Sequence, residues 1–402
     1  MNTYYPVGQT VFFDSASAND KICAIAVTSL SGHLVGIYTT IRTLTFTSVY
    51  GKVVTASGIM PPPFTVPDDT DHNQKDAHVA TIDGTDDFVV VWTSNTTGNY
   101  LTWIRRFRVV EDGRVIPVSA TAQLSNSGGD HMAPRVVFLP VEKLFLVIWI
   151  SVHNHDVQYR YVACSETDGS FENITDIATL NDTVDRDYFS TDLDICNDKT
   201  LSLCVINTPT CVIAALKRSH NEVGVYEILR PESGHAIQQN LPVYQVDNIS
   251  KFDIGYDSRG SVKIVYVHTG SSPVYGDTLV ENNLPQATGG PLQLNQLYQP
   301  CGRPVIVPVV NIAPPAGAFA SAGINYLVGW EIDGTGCFFN RFNADFFALG
   351  GETGINSNDA ATDNLRLCIT DNQIAAVFQA SKNEALHLGE NAGILMHVYY
   401  LP

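Results

Sequence analysis

Seven times between residues 32 and 380 the chain returns to the same short strand: a polar or turn-forming start, about four mostly apolar residues, then a large one. The copies read GHLVGIYTT (32–40), DDFVVVWTS (86–94), KLFLVIWIS (143–151), KTLSLCVIN (199–207), GSVKIVYVH (260–268), INYLVGWEI (324–332) and NQIAAVFQA (372–380). The closing large position is Tyr38, Trp92, Trp149, Val205, Tyr266, Trp330 and Phe378. A continuous apolar run of this length fits a strand covered on both faces, whereas a half-exposed sheet alternates in and out. Sheets that sandwich one another produce such runs, and a spacing of roughly 50 to 65 residues is that of four-stranded blades in a β-propeller.

The rest of each unit falls into order around the repeated strand. A short strand precedes it, as in AHVATID (77–83), PRVVFLP (134–140), RPVIVPVV (303–310) and NLRLCIT (364–370). A more polar, alternating strand follows, as in YLTWIRRFRV (100–109), VQYRYVAC (157–164) and CFFNRFNA (337–344). A fourth comes after turns such as EDGR (111–114) or TDG (167–169). The seventh unit stops after its third strand, at 393–402, and PVGQTVFFDS (6–15) matches the missing fourth. Pairing of 6–14 with 393–400 closes the ring and removes two unpaired sheet edges.

The expected fold is therefore all-β: a single seven-bladed β-propeller of four-stranded antiparallel blades, closed by the N-terminal strand. Its blades span 20–60, 75–126, 131–182, 187–245, 247–298, 301–357, and 361–402 with 4–15. Units four and five are the weakest. VGVYEIL (223–229) and GPLQLN (290–295) fit the fourth-strand slot only loosely, which leaves six or eight blades open. Two tandem β-sandwiches would not explain one repeat from end to end. Only SKNEALHLG (381–389) has helical character.

Residues 328–356 resemble a repeat of large bacterial surface adhesins and related repeat proteins. The matching elements are Trp330, Asp333-Gly334, the aromatic strand Phe338-Phe339-Arg341-Phe342, Gly350-Gly351-Glu352-Thr353 and Asn356. Blade 2 shares part of the pattern in DDFVVVWTS and RFRVVEDGRVIP. The resemblance implies blade-like structure and a binding or adhesive role, and it carries over no catalytic residue. The chain departs from those adhesins as one compact ring without a secretion signal.

Charge and cysteine content narrow the functional classes. With 41 acidic against 23 basic residues the net charge is −18, which disfavours nucleic acid and anionic membrane as partners. The N-terminal MNTYYPVGQTVFF has neither a basic region nor a long apolar core, and LFLVIWI (144–150) is too short to span a bilayer. A leaderless protein without membrane insertion is expected, cytoplasmic when made and released or built into a particle. The eight cysteines are scattered singly and read as buried reduced thiols, with a Cys196–Cys204 bridge as the alternative.

Loops joining second to third strands, and one blade to the next, emerge on one face, and loops on a rigid scaffold are where binding residues concentrate. That face should gather Asp69, Asp71 and His72; Asp130, His131, His153, His155 and Asp156; Asp185 and Asp187; and His268. The ligand-binding candidates are His131, His153, His155, Asp156, Asp185 and Asp187, with Tyr100, Trp103 and Tyr275 as rings to stack on a sugar. Trp92, Trp149 and Trp330 belong to the core. Nothing calls for a cofactor or metal: residues 153–155 form a tight loop, not a spaced ligand set, and 181–187 lack the regular alternation of a cation loop.

Enzyme signatures are missing. There is no G-x-S-x-G, Walker loop or HExxH, SETDGSF (165–171) has the wrong spacing for a sialidase Asp-box, and the first two strands are almost wholly apolar apart from Asp83, Asp192, Asp194 and Asp253. The leading expectation is a non-enzymatic module that binds a glycan or protein receptor. A structural subunit of a virion, phage tail or secreted particle stands beside it, and a propeller glycoside hydrolase behind both.

Overall fold

The apolar runs are strands with both faces covered. In a computed structural model of the chain, Asp87–Ser94 and Tyr326–Ile332 are buried along their whole lengths. Leu144–Ser151 is buried at all but its first residue. The structure describes residues 10–14, 21–41, 46–55, 57–69, 71–126, 128–153, 156–183, 201–207, 210–219, 221–232, 235–240, 244–246, 248–256, 261–270, 273–281, 284–285, 291–296, 301–309, 325–332, 336–355, 361–370, 373–381 and 393–400. Among these residues there is no helix. The expected helical stretch 381–389 lies, but for its first residue, outside them.

The strands pair antiparallel into seven sheets taken in chain order, the blades of a seven-bladed β-propeller. Blade 1 comprises Lys21–Val27, Leu34–Ile41, Thr47–Val54 and Phe64–Thr65. Blade 2 comprises Gln74–Thr81, Asp87–Ser94 and Leu101–Val109, with Val115–Pro117 and Ala122–Gln123 both on its third strand. Blade 3 repeats this plan with His131–Leu139, Leu144–Ser151, Asp156–Cys164, Phe171–Asn173 and Ala178–Thr183. Blade 4 holds Leu201–Asn207, Thr210–Ser219, Glu222–Glu232, His235–Asn240 and Tyr244–Gln245. Blade 5 holds Ile249–Tyr256, Val262–His268, Tyr275–Glu281, Leu284–Pro285 and Leu292–Gln293. Blade 6 holds Val305–Pro308, Tyr326–Ile332, Gly336–Phe342 and Thr353–Gly354. Blade 7 holds Ala361–Thr370, Gln373–Ser381 and Gly393–Tyr400.

The fourth strand of blade 7 is Thr10–Asp14 from the other end of the chain, with Thr10 opposite His397 and Phe12 opposite Leu395. This is the closure read from the sequence. Blade 4 departs from the reading by one strand. Leu201–Asn207 is its first strand, not its second, and Glu222–Glu232 its third, not its fourth. The second strand carries the buried run Val212–Ile213–Ala214–Ala215, which ends without a large aromatic, so the neighbouring LSLCVI matched the repeat better.

By compactness the chain forms two units. One is Met1–Tyr5, Asn19–Ser219 and Val225–Asn240; the other is Pro6–Ala18, His220–Gly224 and Leu241–Pro402. In each, the core lies in layers between consecutive blades. In the first unit, Val35, Ile37 and Val49 of blade 1 meet Phe88, Val90 and Trp92 of blade 2. The opposite face of that same strand, Val89 and Val91, meets Phe145, Val147 and Trp149 of blade 3. In the second unit, Val265 and Val267 meet Val328 and Trp330, while Leu327 of the same strand meets Leu367 and Phe378. Successive residues of each repeated strand thus feed two different cores, which is why the strand is apolar throughout. The large closing residue always turns toward the preceding blade where a layer is described: Trp92, Trp149 and Trp330 are essentially inaccessible.

First strands carry a bulge next to the loop end, between Ile22 and Ala24, Lys75 and His78, Met132 and Arg135, Ile249 and Lys251, and Asp363 and Arg366. Asp76, Ala133 and Asn364 adopt positive φ within three of them. The bulge exposes a backbone N–H to the preceding blade. Ala133 N donates to Asp76 Oδ2 at 3.4 Å, and Leu365 N to Glu331 Oε1 at 2.6 Å. Blade 2 is also tied to blade 3 by charge: Arg106 and Arg108 both bond the buried Asp87 carboxylate, and Arg106 Nη1 donates to Ser165 O at 2.9 Å. Cysteines 23, 164, 301, 337 and 368 are reduced, in no disulfide; Cys196 lies outside the described residues.

Candidate ligand-binding face

The loops that lead into first strands and into third strands are locked to one another by short polar side chains. In the first unit, Asn73 and Asp130 each stand immediately before a first strand. The Asn73 Oδ1 accepts Thr47 N at 3.1 Å, and the Asp130 Oδ1 accepts Tyr100 N at 2.8 Å, each capping the start of the preceding blade's third strand. Their carbonyls take the N–H that follows the second strand of their own blade, Asn95 N at 3.1 Å and Val152 N at 2.8 Å. In the second unit Asn248 O receives Thr269 N at 2.6 Å in the same way. Asn73 and Asp130 each therefore fix two loops, satisfying backbone groups that an exposed turn would leave to water.

In blades 1 and 2 these caps hold an aromatic residue just ahead of the third strand; in blade 5 Tyr275 lies further along, opposite Tyr266 as Trp103 lies opposite Trp92. Phe46 stands before Thr47, Tyr100 before Leu101, and Tyr275 opens its strand. Phe46 is 41% exposed, and Tyr100 and Tyr275 are half-buried. The Lys75 ammonium sits over the Tyr100 ring, 4.5 Å from its centre. Burial raises the Tyr100 phenol above its ordinary range, the Asp130 and Asp76 charges add to the rise, and an Asn73 hydrogen bond opposes it. The Tyr275 ring stacks on Tyr266 at 5.8 Å and meets the His268 ring at 4.9 Å. Beneath it the Tyr244 hydroxyl donates to Asp277 Oδ2 at 2.7 Å, and burial together with that carboxylate raises the Tyr244 phenol strongly.

His131 and His153 part company although both belong to the loop region. His153 is exposed, and a Cβ on Gly129 would stand 3.1 Å from its Cβ. His131 is buried against Trp149, ring centres 6.2 Å apart, and its backbone N donates to Tyr100 O at 2.7 Å. Burial pushes its imidazole down to about 4, against a small upward pull from Asp130. It is a neutral wall residue, not a surface ligand group. Asp156 opens the third strand of blade 3, partly buried, opposite Ser151 and Thr183. Trp103 pairs with Trp92 across blade 2 and packs into the layer toward blade 1 with its indole nitrogen buried, so its ring is committed to the core. His155, Asp185 and Asp187 lie outside the described residues.

The remaining acidic and histidine candidates are engaged locally. Asp69 Oδ2 meets His72 Nδ1 at 2.6 Å, and Asp69 Oδ1 accepts Asp71 N at 2.8 Å. Asp83 accepts Ser29 Oγ at 2.9 Å in a contact between the turns of blades 1 and 2, and Asp253 accepts Ile306 N at 3.1 Å. Asp192 and Asp194 are not among the described residues, and among those that are, no three His, Cys, Asp or Glu side chains are gathered to hold a metal ion. Phe46 escaped the sequence reading. Its signal is positional: an aromatic immediately ahead of the third strand, shared with Tyr100.

No family model matches the chain, and no curated protein matches its sequence. Among solved structures it is similar to the Hadza microbial sialidase Hz136, at 10% identity and TM-score 0.49, over 96% of this chain and 66% of that one. It is similar also to the Penicillium chrysogenum alpha-L-arabinanase, at 12% identity and TM-score 0.49, over 82% of this chain and 93% of the other. A third is the Trypanosoma rangeli sialidase, at 9% identity and TM-score 0.44, over 99% of this chain and 58% of that one. At such identities and TM-scores these likenesses carry nothing about activity.

Proposed function

We propose that this propeller is a non-enzymatic binding module that recognises a glycan, free or on a protein receptor, through aromatics at its loop ends, Phe46 and Tyr100 in the first unit or Tyr275 in the second. The supporting observation is a half-exposed or exposed aromatic near the start of the third strand in blades 1, 2 and 5, each where the strand start is hydrogen-bonded or ring-packed in place. A rigid ring with a polar edge offers apolar area for a sugar face while losing little side-chain freedom on binding. Lys75 and His268, held against Tyr100 and Tyr275, supply donors beside the rings. Of the carboxylates weighed for hydrolysis, Asp83 and Asp253 are engaged in contacts that join blades.

A glycan array with the purified full chain tests this reading. A specific hit is expected, weakened at least about tenfold by Tyr100→Ala or Tyr275→Ala with the fold intact by circular dichroism, and weakened by substitutions in 152–156. Turnover of any glycoside would overturn it.

One surface feature favours the structural-subunit reading as a second. Phe347 and Leu349, in the turn after the third strand of blade 6, are 63% and 39% exposed, an apolar projection suited to contact with another subunit. Stable incorporation into a particle with no glycan hit would favour that reading.

A further inference from the structure

Next to the loop end, the layer between blades 2 and 3 contains buried polar atoms that the described chain does not pair. Thr93 and Thr102 face each other across the second and third strands of blade 2, both inaccessible to solvent. Alternation sets them on the face of Val89, Val91 and Ile104, the face that packs against Phe145, Val147 and Trp149. His131 enters the same layer from blade 3: it lies opposite Ser151, two residues along from Trp149 and on the same side. Its backbone meets the carbonyl of Tyr100, two residues before Thr102. Thr93 Oγ1, Thr102 Oγ1 and His131 Nδ1 are each sealed from solvent, and none has a hydrogen-bond partner among the described residues.

We propose that these three groups form the seat of one ordered water that bridges blades 2 and 3 beneath Tyr100. Buried polar groups that stay unpaired are rare, and three partners are the usual complement of an internal water. The chemistry selects a neutral occupant. Two hydroxyls rotate to donate or accept, and the neutral imidazole nitrogen accepts or donates according to its tautomer. Lys75, opposite Thr93 on the same face, directs its ammonium onto the Tyr100 ring, and the Asp76 and Asp130 charges reach that ring as well. The cation is thereby balanced without an anion in the seat. The water would fix the strand start that carries Tyr100 and the loop that carries Asp130, whether or not that face binds a glycan.

Two measurements on the full chain decide it. A crystal structure at high resolution should show a single solvent peak within hydrogen-bond distance of all three atoms, with no anomalous signal there from crystals grown in bromide. A bromide peak, or hydroxyls turned to pair with each other around an empty space, would overturn the proposal. Thr93→Val and Thr102→Val each preserve shape and remove one hydroxyl. Each should lower the denaturation midpoint if the hydroxyl holds water; a rise would mean the hydroxyl was idle and would overturn it.

Discussion

Removing the Asp87 carboxylate should destabilise the protein more than any other single loss of charge among its described ion pairs. Asp87 is 1% exposed, bonded by Arg106, which is 8% exposed, and by Arg108, which is 49% exposed. The Arg108 arm is open to solvent and contributes little. The Arg106 arm is sealed, and Asp87→Asn leaves its guanidinium with Ser165 O and Cys164 Sγ but no counter-charge. Breaking a buried pair by deleting one partner costs about 3–5 kcal/mol. At about 2.1 cal/mol/K of unfolding entropy per residue, a chain of this length has roughly 0.8 kcal/mol/K, so the melting temperature should fall by about 4–6 °C. Arg106→Met should cost a similar amount.

The double variant Asp87→Leu/Arg106→Met removes both charges and should cost far less than the sum, because neither partner is left stranded. Thermal unfolding of the four proteins, under conditions where it is reversible, measures the coupling. A single-variant loss near 1 °C, or strictly additive losses, would refute the claim that the pair is a sealed charge-neutral unit. The pH dependence has a fixed sign. Burial alone would raise the Asp87 carboxyl, but the hydrogen bonds and charges of Arg108 and Arg106 outweigh it and hold the group below its usual range. Its contribution is therefore present above the unfolded value of about 3.9 and lost as pH falls through the lower folded value. Asp87→Asn should flatten that part of the acid limb.

His131 predicts a separate acid effect at higher pH. Its imidazole titrates at about 4 when folded against 6.5 ordinarily, so the unfolded chain binds the extra proton and stability declines as pH falls from 6.5 toward 4, by about 3 kcal/mol in full; His131→Gln should remove that increment in pH-dependent urea denaturation. The three core tryptophans should differ by one hydrogen bond. Trp149 Nε1 donates to Gln158 Oε1 at 3.0 Å, whereas Trp330 faces Phe338 and its nitrogen has no described partner; Trp149→Phe should therefore cost about 1 kcal/mol more than Trp330→Phe. At Gly329 a Cβ would stand 2.6 Å from Leu367 Cδ1 and 2.9 Å from Leu365 Cδ2, so Gly329→Ala should destabilise by about 1–3 kcal/mol, while Gly351→Ala, with open space around it, should be near neutral by the same denaturation assay.

The blades were legible because a doubly covered strand must be apolar at every position, and few other structures write that pattern seven times. Blade 4 slipped by one strand because its second strand packs small residues, Ala214 and Ala215, where other blades place bulk. The face was legible only as a set of loops. Which side chains point outward depends on single-residue phase: Asp130 caps a neighbouring strand, while His131, one residue on, turns into the layer between blades. Trp103 looked like a surface ring on an alternating strand, but alternation puts it opposite Trp92 and toward blade 1. The caps formed by Asn73 and Asp130 join residues 26 and 30 positions apart, a link that no local pattern announces.

The most direct test of the binding account is to take the glycan bound best on an array, saturate the full chain with it, and follow both partners in one tube. Titration calorimetry should report a defined stoichiometry, nuclear magnetic resonance should recover the glycan chemically unchanged after prolonged incubation, and Tyr100→Ala or Tyr275→Ala should weaken binding about tenfold or more. A glycan cleaved during incubation, or an affinity untouched by both substitutions, would contradict it.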